Sequence, residues 1–335
     1  MGSRATIKDV AVKAGVSPAA VSKAFKGDND ISQETKDKIF KIAKELNYIP
    51  NEFAVNLVKK VNNFIGIVLP VFKDTLFSDI LDGIYKYLEK NNYSAFIYLT
   101  WGNKEKEIEV IDYLIRKNVA GVILFSLFSK IKSIEEIPHI LELKNRKIPY
   151  VLIDRNIILG NHNFIGVNNF KGGKIIGEYL RNLNHKNIIF LYGEDCTTVD
   201  ERFEGIKSEF LKNKHNNIIK WSEIKNIAYE TGYKGVESIL RNFKLNESTT
   251  IVCASDSIAM GAYKKLEEVK IKVPEDISLI GFDNLFYSQL INLTTISYNR
   301  EELGKKSAYM LLNNKNNWIE YLEPSLVIRK SVKRM

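Results

Sequence analysis

Two different hydrophobic rhythms divide this chain. Over the first fifty residues apolar positions recur at helical spacing: Val10, Ala11 and Ala14, then Val21 and Ala24, then Ile39, Ile42, Ala43 and Leu46. From Phe64 onward short β-branched runs alternate with helical stretches. Strands are expected at 64–69, 95–99, 121–125 and 150–153, with helices near 76–91, 104–117 and 134–145. The rhythm then repeats, with strands at 187–192, 250–254 and 277–281 and helices near 171–183, 199–214, 230–242 and 256–268. Continuous apolar strands separated by helices imply parallel sheets covered on both faces. Two successive sets imply an α/β core of two Rossmann-like lobes behind an all-α N-terminal domain.

Local signals sharpen the N-terminal part. Thr6-Ile7-Lys8-Asp9 has the capping-box form, and Gly15 stands where a helix end needs a left-handed residue. Ser17 caps the next helix and Pro18 takes its first position, where a missing N–H costs nothing. Two short helices joined by a tight turn make a helix-turn-helix, and a third helix follows Ser32. Pro50 breaks that helix, and Asn51 can cap a short one over 52–59, too brief to be stable without a partner.

Composition changes the picture only in part. The 335 residues, 45% hydrophobic, can bury a substantial core, and the net charge of +9 permits an acidic partner without naming one. Eleven Lys/Arg against seven Asp/Glu fall within residues 1–60, so a good share of the excess sits on the helix-turn-helix. A basic outer face on that motif points to DNA. Two cysteines, Cys196 and Cys253, make no disulfide framework. No apolar run reaches the roughly 18 residues of a membrane span, and the polar N-terminus carries no export signal, so a cytoplasmic setting is expected.

Catalytic constellations are missing from the pattern. His139, His162, His185 and His215 have no metal-ligand spacing, and no nucleophile-elbow motif occurs. Gly172-Gly173-Lys174 continues into Ile175, which is no phosphate-binding loop. Neither an enzyme, nor a cofactor, nor a metal is expected. The rival to a DNA-binding regulator is a solute-binding protein of a transport system, which would share the two-lobed core but not the helix-turn-helix.

The run T-I-K-D-V-A-x-x-A-G-V-S-x-x-x-V-S, followed by L-N-Y-I-P-N-x-x-A-x-x-L and a C-terminal L-V-I-R-K-S, resembles the LacI/GalR family of bacterial repressors over nearly the whole chain. That resemblance implies a helix-turn-helix at 1–50, a hinge helix at 51–62, and an effector-binding core at 63–335 like the periplasmic sugar-binding proteins. The core would have an N-lobe of about 63–163 and 296–325 and a C-lobe of about 164–295 and 326–335. It also implies a homodimer on a near-palindromic double-stranded operator. Ser17, Pro18, Ala19, Ser22 and Lys23 would then face bases or phosphates. Thr6, Ser32, Thr35 and Asn51 would position the backbone. Leu57, with Ala54 beside it on the hinge, would wedge into the minor groove. Pro18 and Ala19 offer no hydrogen-bonding side chain, so base reading there must be mostly apolar.

Ligands of open α/β sheets bind beyond the carboxyl ends of strands. Here those ends carry Asp74, Asp154-Arg155, Ser255-Asp256 and Asp283-Asn284. The resemblance makes Arg202 the residue that hydrogen-bonds the effector, and a guanidinium with a carboxylate such as Asp283 suits the adjacent hydroxyls of a sugar. Phe72, Tyr229 and Tyr298, with Phe77, would add aromatic faces. The expected effector set is Phe72, Asp74, Asp154, Arg202, Tyr229, Ser255, Asp283 and Tyr298. Asp154 has a cap or ion pair as its alternative, and Asp256 reads as the N-cap of the following helix. The family often has Asn-Asp in place of Ser255-Asp256 and Gln in place of Tyr298. A purine suits the expected aromatic faces nearly as well as a carbohydrate.

Overall fold

The computed structural model describes residues 5–48, 62–71, 75–157, 161–223, 229–243, 245–246, 248–313 and 317–335. They fall into two units, divided between Asn63 and Phe64. The expected hinge, with Asn51, Ala54 and Leu57, lies outside the described residues, as do Phe72 and Asp74.

The first unit is three helices, Ile7–Ala14, Pro18–Phe25 and Gln33–Glu45. Thr6 and Asp9 form the capping box. The Thr6 N–H donates to Asp9 Oδ2 at 2.8 Å, and the Asp9 N–H donates to Thr6 Oγ1 at 3.4 Å. Gly15 takes φ 69°, which a side chain would resist by about 1–2 kcal/mol. Small residues make the helix crossing close: Ala11, Ala14 and Ala24 are buried with Val10, Val21, Ile39, Ile42 and Ala43. Phe25 seals one side, edge-on to Phe40 and Tyr48 at 5.1 and 5.8 Å between ring centres.

The second unit holds two six-stranded sheets. Its strands are β1 Phe64–Leu69, β2 Ser94–Leu99, β3 Gly121–Leu124, β4 Tyr150–Ile153, β5 Asn163–Val167 and β6 Asn187–Leu191. They continue as β7 Asn217–Trp221, β8 Thr249–Cys253, β9 Ser278–Phe282, β10 Thr294–Ser297, β11 Ile319–Leu322 and β12 Ser325–Val327. The sheet orders are β11-β5-β4-β3-β1-β2 and β12-β10-β9-β8-β6-β7. Every pairing is parallel except β10 with β12. Both lobes are therefore doubly wound and aim their strand ends at a shared cleft.

The chain crosses between lobes three times. The crossing expected near 163 falls after Val167, because Asn163 pairs with Val151 and β5 belongs to the first sheet. The one expected near 295 falls after Ser297, because Thr294 pairs with Ile280 of β9. The third runs between Leu322 and Ser325. The strands that the hydrophobic pattern did not show are short or mixed: β5 contains Gly166, β7 alternates exposed and half-buried positions, β10 has four residues, three of them Thr or Ser, and β11 and β12 are edge strands of four and three residues.

One helix contact positions the site. Helices Asn169–Asn182 and Thr197–Phe210 meet through Gly173 and Gly205. A Cβ on Gly173 would stand 2.1 Å from the Arg202 carbonyl oxygen, and one on Gly205 2.1 Å from that of Phe170. Backbone cannot retreat as a flexible side chain can. Gly173→Ala is expected to cost about 1–3 kcal/mol, the usual range for overpacking. Urea unfolding should show a lower midpoint at unchanged slope, and a wild-type midpoint would mean that the two helices separate freely.

Candidate functional site

The first unit presents one polar, exposed end of its second helix. Ser17, Pro18 and Ala19 are exposed and Ser22 and Lys23 half-buried, while Val21 and Ala24 of the same helix face the core. Ser17 Oγ accepts the Ala20 N–H at 3.1 Å, and Ser32 Oγ accepts the Thr35 N–H at 3.3 Å. Two helix N-termini are thereby fixed, each with a dipole that favours phosphate. Thr6 is likewise exposed and engaged with Asp9. Lys23 is occupied within the domain, its Nζ donating to Asp30 at 2.5 Å and lying 3.9 Å from Asp28. The Asp30 hydrogen bond holds its pKa above the ordinary lysine value.

In the core, a cavity of about 50 Å³ lies between the strand ends of the two lobes. Leu76, Asp154 and Arg155 line it from the first lobe, and Glu194, Thr198, Arg202, Ser255, Ile258 and Asp283 from the second. Arg202 is only 7% exposed, so it is no solvated helix residue. Its Nε donates to Asn169 Oδ1 at 2.8 Å, its Nη1 to the Ala254 carbonyl, and its guanidinium lies 3.6 Å from the centre of the Phe282 ring. Asp283 Oδ1 stands 3.7 Å from Arg202 Nη2 and accepts the Tyr298 hydroxyl at 3.2 Å.

Other expected residues divide. Ser255 lines the cavity and is itself the N-cap of helix Asp256–Glu268, accepting the Ile258 N–H at 3.3 Å. The expectation that Asp256 caps that helix is therefore corrected. Asp154 lines the cavity with φ 71° and pairs loosely with Arg155 at 3.8 Å, and burial raises its pKa against both arginines. Tyr298 is buried behind Asp283 and is absent from the lining. Tyr229 is 40% exposed, set by its ring against Tyr233, and does not line the cavity either. Phe77 is buried edge-on to Phe125 in the first lobe. Among the described residues the lining is polar and aliphatic, not aromatic. Glu194, Cys196 and Thr198 were missed, although the strand-end rule applied to β6 would have found Glu194.

A model of the lacI family of bacterial regulatory proteins matches residues 6–51, and one of periplasmic binding protein-like domains matches 178–332. The HTH-type transcriptional repressor PurR of Histophilus somni is 31% identical over 339 residues, covering 99% of this chain and 100% of that protein. The chain belongs to the LacI family of bacterial regulatory proteins. It is a DNA-binding transcriptional regulator and not an enzyme. Among solved structures, the Lac repressor dimer bound to operator and an anti-inducer is similar with a TM-score of 0.84 at 24% identity, over 99% of this chain and 100% of that one. A LacI family regulator from Enterococcus faecium with bound ribose is similar at 0.69 and 27% identity, over 81% and 99%.

Within this LacI-family core, Asp256 has a different task from capping. It is fully buried, accepting the Leu285 N–H at 2.7 Å and the Thr295 hydroxyl at 2.6 Å. It so ties its helix to the loop after β9, which carries Asp283. Burial pushes its pKa up to about 7, against the pull of those two donors and of Arg329 and Arg300. The unfolded carboxyl ionises near pH 4, while the folded one keeps its proton to about 7. The folded state then binds the extra proton across that window, so stability falls as pH rises through it, by at most about 4 kcal/mol. Urea unfolding between pH 5 and 8 should show this decline in the wild type and a flatter profile in Asp256→Asn. Parallel profiles would remove Asp256 as the cause.

Proposed function

We propose that this chain is a cytoplasmic, homodimeric repressor that releases or holds a near-palindromic operator according to a small polyhydroxylated sugar bound between its lobes. The observation that carries the effector class is the buried Arg202 guanidinium, which lines the cavity with Asp154 and Asp283, where the apolar lining among the described residues is aliphatic. Fixed donors and acceptors suit ring hydroxyls, whereas a flat base needs a stacking face. The ribose-bound regulator of similar fold supports a ligand of this kind. Domain boundaries at 1–50, 51–62 and 63–335 fit the reading, with Leu57 and Ala54 on the hinge and Ser17, Ser22 and Lys23 toward DNA.

Two-fold operators need two-fold proteins. Phe286 and Leu290, exposed by 72% and 67%, lie one turn apart on helix Phe286–Leu290, and Ile328, just past β12, is exposed by 62%. A second copy of the chain is the occupant the reading requires. Leu290→Glu should shift sedimentation toward monomer and weaken operator binding together. A variant that stays dimeric would place the interface elsewhere.

Calorimetry with D-ribose, D-galactose and hypoxanthine tests the effector. A sugar is expected to bind, and Asp283→Asn and Arg202→Ala to weaken it roughly 10- to 100-fold, the value of a charge-assisted hydrogen bond. Operator affinity should change with the same sugar, in either direction, because coupling is reciprocal. Tight hypoxanthine binding without any sugar binding would overturn the effector class.

A further inference from the structure

The covalent crossings gather at one side of the core, at the β11–β5 edge of the first sheet and the β12–β10 edge of the second. Away from those crossings, the loops after β3 and β4 of the first sheet are joined by charge to the loop after β6 of the second. Arg155, which follows β4, forks onto Glu194, which follows β6, with Nη1–Oε1 at 2.7 Å and Nη2–Oε2 at 2.6 Å. Lys130, beyond β3, donates to Asp195 Oδ1 at 2.6 Å and also pairs with Asp200. Lys220 on β7 holds Asp200 in place at 2.5 Å from within the second lobe.

Two features mark these pairs as built into the fold. The Arg155 side chain is only 6% exposed, so its charge needs the Glu194 carboxylate. The loop that bears Lys130 is anchored by Glu107, a fully buried carboxylate with no place in the cavity. Glu107 accepts the Ser126 hydroxyl at 2.7 Å and the Leu127 N–H at 2.6 Å, with His139 Nε2 at 3.1 Å. Ser126 Oγ in turn accepts the Phe128 N–H at 3.1 Å. A carboxylate buried in the first lobe thus sets where a surface lysine meets the second.

We propose that these cross-lobe pairs are an electrostatic latch, with Lys130 on an arm anchored by Glu107, that keeps the mouth of the cavity shut and must part for a ligand to pass. Arg155 and Glu194 both wall the cavity, whose volume of about 50 Å³ holds only a few waters. Rotation of the lobes about the crossings would have to pull these pairs apart, so the latch opposes it directly. Its role in ligand passage rests on the effector reading above, but its hold on the lobes does not.

Pulsed electron-spin distance measurement tests it without any ligand. Labels go on Glu105→Cys and Glu230→Cys, exposed positions on opposite lobes, in full-length chain diluted with unlabelled chain; Cys196 and Cys253 are buried. The parent should give one narrow distance, and Glu194→Gln with Lys130→Ala should lengthen and broaden it. Raising salt from about 0.1 to about 1 M, which shortens the screening length from about 10 to about 3 Å, should do the same to the parent and add little to the double variant. Glu107→Gln should broaden the distance while Lys130 is retained, and thermal melts confirm that each variant folds. An unchanged distribution in the double variant, or broadening indifferent to salt, would overturn the latch. A wrong effector would leave these distances unaffected.

Discussion

A guanidinium that cannot shed its proton, buried beneath a cleft, dictates the architecture around it. Arg202 needs acceptors from every direction, and each comes from a different part of the second lobe: Asn169 from the first helix after the crossing, Ala254 from the end of β8, and Asp283 from the end of β9. Phe282 supplies a ring face beneath it. The helix bearing Arg202 can sit low enough only because glycines meet where it crosses its neighbour. The 3.7 Å gap to Asp283 is longer than a hydrogen bond, so an oxygen arriving from the cavity can complete the set.

The acceptor side is held under strain. Asp283 and Asn284 take φ values of 109° and 50°, consecutive left-handed residues that need outside support. Arg329 Nη2 donates to Asn284 Oδ1 at 2.7 Å, and Arg300 donates to the Asp283 carbonyl while also reaching Asp79 of the first lobe at 2.7 Å. Arg300 and Arg329 follow the second and third crossings closely. The loop that presents Asp283 is therefore fastened to the segments that must bend if the lobes rotate. This gives a physical route by which ligand and lobe orientation can bias one another.

The N-terminal unit shows a different economy. Its hydroxyls act locally, since Ser17 and Ser32 cap helices whose N-terminal dipoles favour an anion. Lys23 is tied to Asp28 and Asp30, so any phosphate it meets must compete with carboxylates already in place. Weak exposed pairs of this kind exchange at little cost.

Local physics made the helix-turn-helix legible before any coordinates. A capping box, a left-handed glycine and a proline at a first helical position act over three or four residues, and each stood where expected. The doubly wound core was legible for the same reason wherever strands are continuously apolar. Arg202, Asp154, Ser255 and Asp283, which strand ends and one motif mark in the sequence, do line one cavity. Edge strands, the exact ends of the strands beside the lobe crossings, the withdrawal of Tyr298 and Tyr229 from the cavity, and the cap passing from Asp256 to Ser255 were not legible. Nor was the meeting of Lys130 with Asp195, or of Arg155 with Glu194, dozens of residues apart. Those depend on which surfaces two separately folded lobes bring together, and no local pattern carries that information.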